Sequence, residues 1–264
     1  MRTLSVCLSL SALAAFAVVP LPAAGAVKTA TVDYVDGAQL CEGFLAWDDA
    51  VTGKRPGVVV VHEWMGLGDY AKERARQLAA LGYVAFAADI YGKGIRAKDV
   101  AEAGRLAGRF KGDLPLLRSR ARAALDTLAK DPRADASRLF AIGYCFGGTT
   151  VLELARSGAP VAGVVSFHGG LATKDAADAK NVKGRVLVLH GAADPYVPPA
   201  EVAAFQKEMD EAKVDWQMVF YAGAVHSFTN PAAGSDPAKG AAYDAKADRR
   251  SWEAMKAFLS EEGK

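Results

Sequence analysis

Ile142-Gly143-Tyr144-Cys145-Phe146-Gly147-Gly148 is the stretch that decides the fold. Before it, residues 138–142 form a short apolar run of strand type. After it, residues 149–155 are apolar at helical spacing. The pattern is strand, sharp Gly-rich turn, helix. G-x-C-x-G in that setting has the form of a nucleophile elbow with cysteine in the place more often held by serine. Crowding explains the glycines, because side chains at Gly143 and Gly147 would collide with the turn. A helix N-terminus aimed at Cys145 would favour a thiolate and a developing oxyanion. Equally, a buried structural cysteine beside a βα turn fits this stretch taken alone.

Working outward, the chain alternates strand-like and helix-like segments. Runs at 29–35 and 40–47 flank Asp36-Gly37 and predict an antiparallel hairpin. Residues 57–62 form a continuous apolar run, as strands buried on both faces do. Asp69 is placed to cap a helix reaching residue 81, with Gly82 just past its end. A strand at 83–89 is followed by helices at about 97–110 and 114–130. Further strands are expected at 163–167, 185–190 and 215–221, with helices at 199–212 and 238–260. The fold class is therefore α/β: a mostly parallel central sheet of about eight strands, with helices on both faces. Chemistry in such sheets gathers beyond the carboxyl ends of the strands. Glu63, Cys145, His168, Asp194 and His226 all fall just after predicted strands.

The first 26 residues read as a secretory signal peptide. Arg2 precedes an apolar core from Leu4 to Val19, Pro20 and Pro22 break it, and Ala24-Gly25-Ala26 is a small-x-small cleavage site. Residues 27–264 would then form a single exported domain, periplasmic or secreted, without membrane attachment after cleavage. Two cysteines would remain, Cys41 and Cys145, both expected to be free; a chain this long needs no staple. The formal net charge of +2 gives no electrostatic case for nucleic acid or acidic lipid. Arg118-Ser119-Arg120-Ala121-Arg122 is read as the solvated face of a helix. Nothing in the sequence fixes the oligomeric state, and a monomer is favoured slightly.

A nucleophile needs a base, and the base an orienting group. Cys145, Asp194 and His226 occur in that order, 49 and 32 residues apart, which leaves room for a strand–helix–strand unit in each gap. His62 and His190 close apolar strands and are read as structural, whereas His168 is expected on the wall of a pocket. The loop after Val61 would supply the Trp64 N–H as partner to the Phe146 N–H in an oxyanion hole. Glu63 beside a thiol would favour its protonated form; a structural hydrogen bond is the alternative. No compact zinc spacing is present in His62, Glu63 and Cys145, and neither a metal nor an organic cofactor is expected.

On these residues the chain resembles the dienelactone hydrolase family. The matching segments are His62-Glu63-Trp64-Met65-Gly66, Asp89-Ile90-Tyr91-Gly92, Gly143 to Gly148, His190-Gly191-Ala192-Ala193-Asp194-Pro195 and His226-Ser227-Phe228. The similarity runs from about Thr29 to Leu259. It implies the α/β-hydrolase fold, a Cys145–His226–Asp194 triad, a small-molecule lactone or ester substrate, and a Glu63 that interacts with the thiol and releases it when substrate binds. It also brings Tyr91, Lys93 and Ser227 into the substrate-facing set. Family arginines that hold a substrate carboxylate are replaced here by Lys93 and Asn230, with Arg96 near but displaced. Lysine lacks the bidentate fork, so dienelactone itself does not carry over as substrate. Two rival readings keep the fold without this catalysis: an exported ligand-binding protein, and a redox-responsive thiol protein using Cys145 or a Cys41–Cys145 bridge.

Overall fold

The computed structural model of the protein describes residues 25–261. The expected signal peptide at 1–26 lies, but for its last two residues, outside the described residues. Strands β1 (Val27–Asp36) and β2 (Gln39–Asp48) form the expected hairpin, antiparallel from Val27↔Asp48 to Asp36↔Gln39, with Gly37 at φ 58° in the turn. The chain continues as β3 (Arg55–Val61), α1 (Asp69–Ala80), β4 (Val84–Ala88), α2 (Val100–Gly112), α3 (Leu114–Ala129), β5 (Ala134–Tyr144), α4 (Phe146–Arg156) and β6 (Gly163–Phe167). It ends as β7 (Arg185–Gly191), α5 (Pro199–Glu211), β8 (Trp216–Tyr221) and α6 (Ala245–Ser260).

The eight strands make one sheet in the order β1-β2-β4-β3-β5-β6-β7-β8, and every pair from β4 to β8 is parallel. Val58 and Val60 join α1 and α6 in one apolar cluster; Val59 and Val61 join α3, α4 and α5 in the other. The continuous valine run is thus a strand covered on both faces, which puts the helices where the sequence requires them. Among the described residues no helix is long and apolar enough to cross a membrane.

Four local expectations are corrected. Gly68, not Asp69, is the N-cap of α1, and Asp69 lies in its first turn. Helix α2 starts at Val100, because Asp99 caps it by accepting the Glu102 N–H, while the Ala97 N–H is held by the Met65 carbonyl. The last helix begins at Ala245 rather than 238: Gly240 takes φ 78° and Asp244 caps the helix proper. The arginine stretch on α3 is not all solvated. Arg120 is buried and paired with Asp36, Arg118 pairs with Glu153 and Asp178, and Arg122 alone is exposed.

Candidate active site

The elbow is built from close backbone approach. A Cβ on Gly143 would sit 2.0 Å from the Gly147 carbonyl oxygen, and one on Gly147 would sit 2.3 Å from that of Val61. Cys145 therefore sits between β5 and α4 at φ 54°, ψ −114°, a region costly for a residue with a side chain. The turn lifts Sγ off the end of the sheet into a cavity of about 350 Å³, whose wall includes Trp64, Phe146, Thr149, Tyr196, His226 and Ser227.

His226 lies in the loop after β8. Its Nδ1 is 2.8 Å from Asp194 Oδ2, in the loop after β7. The same ring lines the cavity together with Cys145. Burial alone would lower the imidazole pKa, but the bond to Asp194 and the neighbouring Cys145 outweigh it and raise it to about 10. The loop has a support the sequence did not reveal. The His226 N–H is held by the Gly240 carbonyl at 3.1 Å, and its carbonyl accepts the Ala242 N–H at 3.0 Å. The segment that breaks the expected last helix is the one that braces His226.

Trp64 and Phe146 both line the cavity, and among the described residues no protein acceptor takes the backbone N–H of either. The Tyr91 hydroxyl donates to the Trp64 carbonyl at 2.8 Å, and the ring is buried, so Tyr91 shapes this turn from behind instead of facing the cavity. Glu63 stands beside the histidine loop. It accepts from Asn230 Nδ2 and, at 3.3 Å, from Ser227 Oγ; among the described residues no hydrogen bond joins it to Cys145. Burial pushes its carboxyl pKa up, against the donors that favour the charge. Asn230, read as a substitute for an arginine, is thus engaged with Glu63.

Two further substrate-facing expectations lead elsewhere. Lys93 is exposed, away from the cavity, and held by Asp33 at 2.7 Å and Glu42 at 3.3 Å on β1 and β2. His168 lies behind the elbow with no exposed surface. Ser227 does line the cavity. The cavity cation that the sequence did not single out is Lys111, one helical turn after Ala107 on α2; its spacing carried the signal, but the orientation of α2 did not. His62 and His190 are buried, as read. His62 donates from Nδ1 to the Glu63 carbonyl and accepts the Ile90 N–H at Nε2, and burial lowers its pKa to about 4. Cys41 and Cys145 are free. Among the described residues no three His, Cys, Asp or Glu side chains group as a metal site would need.

A cysteine on a βα elbow, an aspartate after β7 and a histidine after β8 of a mostly parallel sheet have the arrangement of an α/β-hydrolase. The model of the dienelactone hydrolase family matches residues 41–263, and the chain belongs to that family. It is 49% identical to a solved dienelactone hydrolase-like promiscuous phosphotriesterase from metagenomic libraries; the match covers 89% of this chain and 98% of that one, with a TM-score of 0.86. It is also 30% identical over 216 residues to a Bradyrhizobium sp protein named "Probable 2-oxo-3-(5-oxofuran-2-ylidene)propanoate lactonase", covering 77% of this chain and 86% of the relative. The protein is an ester or lactone hydrolase acting on a small molecule.

Proposed function

We propose that the chain is an exported cysteine hydrolase that cleaves a lactone or carboxylic ester through Cys145, His226 and Asp194. The observation that carries the reading is the His226 ring, bonded to Asp194 Oδ2 at 2.8 Å and standing with Cys145 on the wall of one cavity. His226 takes the thiol proton and the sulfur attacks the carbonyl carbon. The carbonyl oxygen becomes an oxyanion between the Trp64 and Phe146 N–H groups; each donor is worth about 3 kcal/mol by analogy with other oxyanion holes. Collapse breaks the ester C–O bond, and His226 returns its proton to the departing oxygen. Water, deprotonated by His226, attacks the thioester; the product leaves as an acid and the thiol is restored. Asp194 holds the ring in one tautomer throughout.

Phosphotriesters are a second substrate class for the same sulfur, favoured by the name of the neighbour at 49% identity. Export rests on residues 1–26.

The test uses residues 27–264 with a panel of aryl esters, lactones and one aryl phosphotriester, following turnover and intact mass together. The expected result is turnover, with an acyl mass mapping to Cys145 when trapped, and neither in Cys145→Ala. Undiminished turnover in that variant would remove Cys145 from the reaction.

A further inference from the structure

His168 is a buried nucleophilic side chain that the mechanism above does not use. It sits where β5 and β6 leave the sheet together. Their pairing ends at Tyr144↔Phe167, and the next residue of each strand, Cys145 and His168, turns into the left-handed region, at φ 54° and φ 40°. Two adjacent left-handed residues with side chains are costly and persist only where their surroundings hold them.

The holding groups can be named. The Cys145 N–H is shared between the Phe167 carbonyl at 3.0 Å and His168 Nδ1 at 3.1 Å. Since Nδ1 accepts, the ring hydrogen is on Nε2, which donates to Thr229 Oγ1 at 2.7 Å. Thr229 is three residues beyond His226 and buried. Its Oγ1 is 2.6 Å from the Tyr70 hydroxyl, and its carbonyl accepts from Arg74. The His168 ring also meets the His226 ring edge-on, with centroids 5.3 Å apart. One imidazole therefore touches the backbone of the nucleophile, the loop of the base, and the base itself.

We propose that His168 is a positioning residue, which sets the separation of Cys145 and His226 by bonding the elbow through Nδ1 and the histidine loop through Nε2. The proposal rests on the reading of Cys145 as the nucleophile. The ring must be neutral to do this, because a protonated Nδ1 has no lone pair for the Cys145 N–H. Burial and the neighbouring His226 hold its pKa well below the ordinary range.

The experiment compares His168→Phe, His168→Asn and Thr229→Val with the parent. It reads kcat and KM on the best ester of the panel, Cys145 alkylation by iodoacetamide at neutral pH, and thermal melting. His168→Phe keeps ring volume but no ring nitrogen. Its kcat is expected to fall about 100-fold, the scale of a misplacement near 1 Å, with KM unchanged and alkylation slowed. His168→Asn restores an acceptor for the Cys145 N–H and is expected to recover part of both. Thr229→Val cuts only the loop-side bond and should lower kcat with KM unchanged. A parental kcat and alkylation rate in His168→Phe would overturn the proposal, as would a raised KM at parental kcat, which marks a substrate contact. If His168→Phe does not fold, parental values in Thr229→Val overturn it. The alkylation arm needs no ester, so failure of the hydrolase reading, seen as undiminished turnover in Cys145→Ala, is distinguishable from failure of the His168 proposal.

Discussion

Glu63 shows how a residue read for one partner can serve another. Its carboxylate is bonded by Asn230 and Ser227, yet burial still raises its pKa. A carboxyl raised on folding contributes stability that is complete below its unfolded pKa and lost as pH rises through the folded one. Glu63→Gln removes that loss while keeping an oxygen acceptor. The variant is expected to melt about 2–4 °C above the parent at pH ~8, the shift of about 1 kcal/mol in a chain this size, and close to the parent at pH ~4. A thermal scan at the two pH values checks this; an equal offset at both would show that charge is not the cause. That Cys145 and His226 would stand at one cavity was legible from the local elbow around Cys145 and from the order of Cys145, Asp194 and His226 along the chain. The true setting of Lys93 was not, since Asp33 and Glu42 are brought to it by the hairpin from far along the chain.

Helix α4 carries the elbow and is pinned from behind by buried charges. Arg156 joins Glu153 on its own helix at 3.0 Å and Glu208 on α5 at 2.7 Å, while Arg118 on α3 reaches Glu153 at 2.7 Å. Arg156 and both glutamates are almost fully buried, so removing the arginine leaves Glu208 without its partner and Glu153 with Arg118 alone. Arg156→Met is expected to cost about 3–5 kcal/mol in chemical denaturation; a loss below about 1 kcal/mol would show that the glutamates find other donors. The elements themselves were legible where periodicity was backed by local geometry, as in the valine run of β3 and the Asp36-Gly37 hairpin. Residues 238–244 were not. Their helical composition competes with a long-range pairing to His226, and the pairing wins through Gly240 and Ala242. The Arg118–Arg122 face misled for a related reason: charge pattern marks a helix surface, but not which acids another element will present to it.

On the scale of the molecule, β1 begins at Val27, the residue that a signal cleavage after Ala26 would leave first. Expression with residues 1–26 in a secreting host is expected to give a mature protein whose N-terminal sequence starts at Val27, without loss of the edge hairpin. Retention of Met1 in the soluble product would sink the export reading. The sheet order was beyond the sequence, because adjacency of β3 to both β4 and β5 is fixed by crossovers and not by any one segment. The bracing of His226 by Gly240–Ala242 also separates the two halves of the candidate site. The Cys145 turn is held by Phe167 and His168, and through His168 by Thr229, whereas His226 is also held by Gly240 and Ala242, which lie later in the sequence. The two halves of the candidate site are thus held by different parts of the chain, so loosening Gly240–Ala242 would displace His226 while leaving the Cys145 turn in place.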